Sequence, residues 1–185
     1  MAAACTVLIG CVTTTVSVTP SPQTSVCDSG ASALVLWAPQ WRPDQKDVLE
    51  REAAAEAGLK GFLQSSGCFA RSQLRRLSGI TPSVVATEIA SANGRFNKVI
   101  AITLRELGPV ITLLSSPALI EGGTEVVLQV AEHIPPSEVQ TQSFTFHWQS
   151  GGPGVIKGVA SLSQDMQASL VKGLQPNKLH TEPLH

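Results

Sequence analysis

The strict alternation of apolar and polar residues in "SFTFHWQS", residues 143–150, restricts the fold of this chain more than any other feature. Side chains of a β-strand point to opposite faces in turn, so Phe144, Phe146 and Trp148 share one face and the intervening polar residues share the other. One face of this strand is therefore buried and the other is open, which is typical of an antiparallel sheet that helices cover on one side.

Helices and further strands are predicted around this segment. Apolar residues recur at the spacing of an amphipathic helix in three segments, residues 44–66, 82–92 and 155–170. Apolar or alternating runs predict strands at residues 33–37, 68–77, 98–107, 110–116, 124–134 and 143–150, with turns at Gly108-Pro109 and Gly122-Gly123 and a break at Gly151–Gly154. The order β-α-β-α-β-β-β-β-α predicts an α+β fold, with helices packed on a mixed sheet of about five to six strands that is antiparallel in its second half.

Length and composition favour one globular domain. A chain of 185 residues with 43% apolar and 15% charged residues forms a substantial core and shows no sign of global disorder. The formal net charge of -1 provides no field that gathers phosphates, so nucleic acid is not an expected partner. No run reaches the roughly 18 apolar residues of a membrane-spanning helix. We expect a single domain over residues 31–174 and a disordered tail over residues 175–185.

The N-terminal segment carries a candidate lipidation motif. Leu8-Ile9-Gly10-Cys11 matches the pattern at which bacterial lipoproteins are cleaved and acylated on the cysteine, and it ends an apolar stretch typical of a signal peptide. Residues 1–11 lack the basic start of such a peptide, which indicates a true start upstream of Met1. The alternative is a buried first element with an incidental cysteine. Residues 12–30 are rich in Thr, Ser and Pro and predict a tether between anchor and domain.

Cleavage before Cys11 removes Cys5, and acylation occupies Cys11, so two of the four cysteines are left. Cys27 and Cys68 can pair in an oxidising periplasm, or they can stay two free buried thiols, and their spacing does not decide between these alternatives. The sequence has no C-x-x-C pair and no Cys/His set with the spacing of a zinc site. Neither a structural metal nor another cofactor is therefore expected.

The sequence contains no local catalytic motif such as a nucleophile elbow, a phosphate-binding loop or a paired-histidine zinc motif. His133 and His147 lie on adjacent predicted strands, where polar surface is a simpler interpretation than a metal site or a general base. Trp37 and Trp41 flank the loop after the first predicted strand. They either form a contact site for a partner or a membrane, or they pack in the core and over the start of the first helix.

In these features the chain resembles small bacterial envelope lipoproteins whose α/β domain is like the N-terminal domain of TolB. Examples of this group are the ABC-type transport auxiliary lipoproteins, CsgG, LpoB and PelC. The resemblance rests on "LIGC", the Thr/Ser/Pro-rich segment, the strand "ALVLWAP" before a long helix, the strand "KVIAITLREL" and the closing helix "GVASLSQDMQASLVKGL". It covers the order of elements from Cys11 to Leu174. Cys11 is the one residue whose role transfers, as the acylated residue.

The resemblance implies a protein that is not an enzyme and that acts as an accessory or assembly subunit of a cell-envelope machine for transport, export or synthesis. The residue after the cysteine is Val12. In the resembled proteins a residue other than Asp at this position goes with the outer membrane, which implies a location on its periplasmic face. The implied partners are membrane lipid through acylated Cys11, envelope proteins and further copies of the chain. The alternative is a periplasmic module that binds a small ligand or a lipid.

Overall fold

The structure, a computed structural model, describes residues 12–21, 23–113 and 120–174. Its elements are β1 (Thr13–Thr19), β2 (Asp28–Pro39), α1 (Val48–Ser65), β3 (Phe69–Arg76), α2 (Pro82–Ala92), β4 (Lys98–Leu113), β5 (Ile120–His133), β6 (Gln140–Pro153) and α3 (Leu162–Leu174). The strands form one mixed sheet in the order β1-β6-β5-β4-β2-β3. β2 runs parallel to β3 and β4, and the other neighbours are antiparallel. The predicted α+β class is confirmed.

One face of the sheet, which we call the covered face, lies under α1 and α3. The alternation in β6 places Phe144, Phe146 and Trp148 there, and all three side chains are buried. The facing side of α3 is apolar because four residues recur at helical spacing, namely Leu162, Met166, Leu170 and Leu174. Burial of each such side chain contributes roughly 1.5–3 kcal/mol, so this face carries most of the hydrophobic stabilisation.

The opposite face is covered in part. α2 packs on β2 and β4 through Val85 and Ile89, which belong to a second, smaller buried cluster. The remainder, which we call the open face, presents the half-buried or exposed side chains of Glu125, Gln129, Thr145, His147 and Gln149. A sheet covered on one side and partly open on the other follows from the alternation in β6.

The predicted tether over residues 12–30 is wrong, and the domain begins before residue 31. Thr13–Thr19 forms β1, which pairs along its whole length with β6, and β2 begins at Asp28. Composition predicted disorder because this segment has few apolar residues to bury. The backbone hydrogen bonds come from β6 instead, and Val18 packs against the core of the covered face. The proposed signal peptide (1–11) and tail (175–185) lie outside the described residues.

Gly108-Pro109 and Gly122-Gly123 were predicted as turns, but both lie inside long strands. β4 continues through Gly108, and this position requires a glycine because the Arg51 guanidinium occupies the place that a Cβ would take. Pro109 is tolerated since β2 ends opposite Leu104, and beyond that residue none of the described strands pairs with this side of β4. The second half of the chain therefore forms three long antiparallel strands where four shorter ones were expected.

The closing helix begins later than predicted. β6 runs through the first glycines of "GGPG" as far as Pro153, and Gly154 ends it with a φ of +74°. A single 3-10 turn, Val159–Ser161, precedes α3, so the expected helix start at Val155 is wrong. Buried Asp165 in the first turn of α3 binds Lys157, which keeps the preceding residues folded back on the helix start.

The contact between α1 and α3 provides a test of the covered face. A Cβ at Gly58 would lie 2.6 Å from Met166 Cβ and 2.7 Å from the Ser163 carbonyl oxygen. At Gly61, in the same helix, a Cβ would meet the flexible end of Gln167 at 3.0 Å. We predict that Gly58→Ala lowers the free energy of unfolding by about 1–2 kcal/mol relative to Gly61→Ala, because overpacking is costly while the gain in helix propensity is shared. Urea denaturation measures the difference, and equal stabilities would contradict this packing.

Candidate functional site

The structure locates the chain that follows the candidate lipidation site. Cys11 itself lies outside the described residues, but Thr13 already pairs with Gly151 near the end of β6. Consecutive Cα atoms are about 3.8 Å apart, so the Cα of Thr13 lies within about 8 Å of the Cα of Cys11. The sheet thus begins directly after this cysteine. Of the helices described, none has the length and apolar character needed to cross a membrane.

The segment between β6 and α3 is fixed beside this end of the sheet. Val155 donates its N–H to the Gly152 carbonyl oxygen at 3.1 Å. Lys157 Nζ lies 2.7 Å from Asp165 Oδ1, and Asp165 Oδ2 accepts a hydrogen bond from the Thr124 hydroxyl at 2.6 Å. Because Asp165 is buried and has partners on both oxygens, it joins this segment to β5 and α3.

The two cysteines of the domain are joined in the structure. Cys27 and Cys68 form a disulfide with an Sγ–Sγ distance of 2.00 Å and a Cα–Cα distance of 4.6 Å. Cys68 is buried, and Cys27 packs against the same core cluster. Asp28 donates its N–H to the Cys68 carbonyl oxygen at 2.9 Å. The bond therefore connects the start of β2 with the start of β3, and the alternative of two free thiols does not describe this structure.

A groove of about 650 Å³ lies on the open face between α2 and the hairpin formed by β5 and β6. Ile80, Pro82 and Val85 form its apolar wall at the start of α2, and Val139 from the β5–β6 connection is 73% exposed in its lining. A second hollow of about 500 Å³ follows the C-terminal half of α2, and Glu138 lines both. The two hollows together extend along α2, which is about 16 Å long.

The floor of the groove is uncharged and can form hydrogen bonds. It includes Thr103 of β4, Gln129 of β5 and Thr145 of β6. Among the described residues that line it, Glu138 is the only Asp, Glu, Lys or Arg, and its backbone carbonyl oxygen lies 2.9 Å from His133 Nδ1. An apolar wall beside hydroxyl and amide groups suits an uncharged, elongated molecule with an apolar portion.

The structure separates the two candidate histidines. His147 lies opposite Val127, whereas His133 is six residues further along β5, a distance of about 20 Å. His147 Nε2 lies 2.7 Å from Glu125 Oε1 on the open face. Within residues 12–21, 23–113 and 120–174, no three His, Cys, Asp or Glu side chains are grouped so that they can hold a metal ion. The geometry does not unite these histidines in one site.

The predicted contact site at the two tryptophans is not formed as expected. Trp37 is fully buried in the core of the covered face, with the Arg76 guanidinium 5.3 Å from its ring centroid, so it cannot contact a partner. Trp41 is half-buried and donates its indole N–H to Glu52 Oε1 at 3.2 Å, over the first part of α1. A contact role for Trp41 alone stays a prediction.

A buried arginine is a structural feature that the sequence analysis missed. Arg51 is 7% exposed; its Nη1 lies 3.0 Å from Glu106 Oε1 and donates to the Leu107 carbonyl oxygen at 2.5 Å. Its position in the sequence could have indicated burial, because Arg51 falls at helical spacing with the buried residues Ala55 and Leu59. Nothing in the sequence around Glu106 marks it as the partner.

The groove was also missed. Its wall at residues 80–85 and its floor at residues 129 and 145 are far apart in the sequence. Each segment has the pattern of an ordinary helix start or strand. Only the strand order, which places β5 and β6 beside β4 under the edge of α2, brings them together.

No protein-family model matches the sequence, and no curated protein is significantly similar to it. Similar solved structures include the PelC dodecamer from Paraburkholderia phytofirmans, with a TM-score of 0.45 and 15% identity over 85% of this chain and 95% of that chain. Protein XCC0632 from Xanthomonas campestris has a TM-score of 0.41 and 14% identity over 88% of each chain. Lipoprotein GNA1162 from Neisseria meningitidis has a TM-score of 0.40 and 13% identity over 77% of this chain and 96% of that chain. Similarity at this level carries no functional argument.

Loss of the disulfide has a predictable effect on stability. We predict that the double variant Cys27→Ala with Cys68→Ala loses about 3–4 kcal/mol of unfolding free energy, because the bond closes a loop with a sequence separation of 41. Urea denaturation with and without a reductant measures this loss. The reductant is expected to lower the urea midpoint of the original chain and to leave the urea midpoint of the double variant unchanged. An original chain that keeps its midpoint after full reduction would contradict the prediction.

Proposed function

We propose that this chain is a non-enzymatic lipoprotein, anchored through acylated Cys11 on the periplasmic face of the outer membrane, and that it is an accessory or assembly subunit of a cell-envelope transport, export or synthesis machine. The observation that carries the proposal is the motif Leu8-Ile9-Gly10-Cys11 directly before β1. Cleavage at this cysteine leaves the entire described domain intact. Val12 in place of an Asp favours the outer membrane over the inner membrane.

The cysteines support an envelope location. The Cys27–Cys68 disulfide is a kind of bond that persists in oxidising compartments such as the bacterial periplasm and is rare in the cytosol. It joins two strand starts at the core and leaves Cys11 as the cysteine available for acylation after cleavage. The two roles of cysteine in this chain are therefore compatible with each other.

The buried ion pairs have a structural role. Arg51 with Glu106 joins α1 to β4, and Lys98 with Glu132 joins β4 to β5, with an Nζ–Oε1 distance of 2.6 Å. Lys98 also donates to the Val26 carbonyl oxygen, so the pair holds the chain before β2 as well. Each of these pairs connects structural elements, and removal of one partner would leave a buried charge unpaired.

The β1 edge of the sheet supports an assembly role. Among the residues that the structure describes, β1 has one neighbouring strand, β6, and Thr13–Thr19 contains neither a charged residue nor a proline. Edge strands of soluble proteins are usually protected by such residues, because their free N–H and C=O groups pair readily with another strand. Strand addition by a partner protein or by a further copy of the chain is the association that this edge favours.

The anchor is tested by the mass of the mature protein. We predict an N-terminus at Cys11 with the added mass of acyl chains in protein extracted from membranes of its host. Several acyl chains are needed for firm anchoring, so Cys11→Ala is expected to leave the membrane fraction, whereas Cys5→Ala is the control and stays in it. Mass spectrometry and membrane fractionation provide these readouts. An unmodified N-terminus that retains Met1 would refute the proposal.

A second candidate function rests on the groove of the open face. Its volume, its apolar wall and its hydroxyl and amide floor favour a module that binds an uncharged small molecule or the acyl portion of a lipid. This function is compatible with the anchor, because the groove lies beside α2 and away from Thr13 on β1. It would make the protein a ligand-binding lipoprotein.

The groove is tested with N-phenyl-1-naphthylamine, an uncharged apolar fluorophore. We predict saturable fluorescence enhancement by the original chain and an affinity lower by about tenfold for Gln129→Trp, which fills the floor. The control is Gln149→Trp, because Gln149 is also an exposed glutamine of the open face but does not line the groove. Fluorescence titration measures both. Absence of saturable binding, or equal losses in the two variants, would argue against this function.

A further inference from the structure

We propose that the end of the domain where β1 begins, which includes Val12, Val155 and Ile156, docks on the lipid bilayer with Ile156 in contact with the membrane. This inference rests on the proposed acylation of Cys11 and adds to it the orientation of the domain. Without a tether, an anchored cysteine determines which end of the fold meets the membrane.

The covalent connection leaves little freedom. Val12 is the one residue between Cys11 and the first paired residue, Thr13, so that end of the sheet lies within about 8 Å of the anchored residue. Acylation holds the cysteine at the level of the lipid headgroups. The end of β6 that is paired with Thr13 is held there as well, and the segment after β6 accompanies it.

The apolar residues at this end are unusually exposed. Ile156 is 87% exposed and Val12 is 57% exposed. They lie at the same end of the sheet because Thr13, next to Val12, pairs with Gly151, and Val155, next to Ile156, donates its N–H to Gly152. Single exposed apolar residues need no explanation, but two beside a lipidation motif form a surface suited to the membrane interface.

Ile156 is presented by a fixed segment. The following residue, Lys157, is bound to Asp165 at 2.7 Å, and Ser161 donates to the same carboxylate at 3.0 Å. The Lys157 ammonium also lies 5.7 Å from the Trp148 ring centroid. A side chain held in this way can contact a surface without a large loss of conformational entropy on contact.

The charge distribution agrees with a bilayer at this end. Residues 12–17, 108–113, 120–124 and 151–158 carry two charged residues between them, Glu121 and Lys157. Lys157 is already paired with a carboxylate. Charges are the groups most costly to bring into the membrane, so a nearly uncharged end can approach it closely.

The opposite end of β6 provides a matched control. Val139 is 73% exposed and immediately precedes β6, so it lies about 45 Å along the strand from Pro153. Its exposure is comparable with that of Ile156, but it is remote from the anchor. A membrane contact that depended on exposure alone would involve both residues.

The test uses the acylated full chain in vesicles of phosphatidylethanolamine and phosphatidylglycerol. Ile156→Cys and Val139→Cys are each labelled with an environment-sensitive nitrobenzoxadiazole dye. The introduced thiol is the only free one, because Cys27 and Cys68 are bonded to each other and Cys11 is acylated. We expect a blue shift and a several-fold rise in emission for the label at 156, and water-like emission for the label at 139.

The outcomes distinguish the docking from the anchor. The mass of each labelled chain establishes acylation, and flotation with the vesicles establishes anchoring. If both hold and the label at 156 emits as in water, the docking is overturned while the anchor stands. If the chain carries no acyl group, the proposed anchor fails and the docking fails with it.

Discussion

Burial of Phe144, Phe146 and Trp148 in the core of the covered face determines how the sheet is assembled. Strand side chains alternate, so a slip of one residue would expose all three aromatics, and their burial therefore determines the register of β6. The register of β6 in turn determines its pairing with both neighbouring strands, and it places Thr13 of β1 opposite Gly151. The location of the N-terminal end of the domain follows from the core.

The buried charges complete this arrangement at places where apolar packing alone would not position the chain. Arg51 crosses from α1 to the backbone of β4, which is possible because Gly108 leaves room for the guanidinium. The pair of Lys157 and Asp165 likewise fixes the segment between β6 and α3 against the start of α3. Hydrogen-bonded pairs of this kind are directional, so they define orientation more than they add stability.

The parts of the fold that were predicted correctly are those whose signal is local. The alternation of β6 gave a strand with one buried face, and α2 begins and ends at its caps, with the Val84 N–H bonded to the Thr81 side chain and Asn93 in the left-handed conformation. The parts that were missed depend on distant partners. β1 takes its hydrogen bonds from β6, and Gly108 is explained by Arg51, which comes 57 residues earlier. The Cys27–Cys68 bond depends on a Cα separation that spacing does not contain.

Thr13 is already paired in the sheet, so no tether separates the candidate anchor at Cys11 from the domain. Neutron reflectometry of the acylated protein on a supported bilayer tests this arrangement, because it measures the thickness of water between headgroups and protein. We expect protein density that continues directly from the headgroups. If residues 12–30 were a flexible chain, they would extend over about 25 Å, and a hydrated layer of that thickness below the domain would show that the sheet does not begin at the anchor.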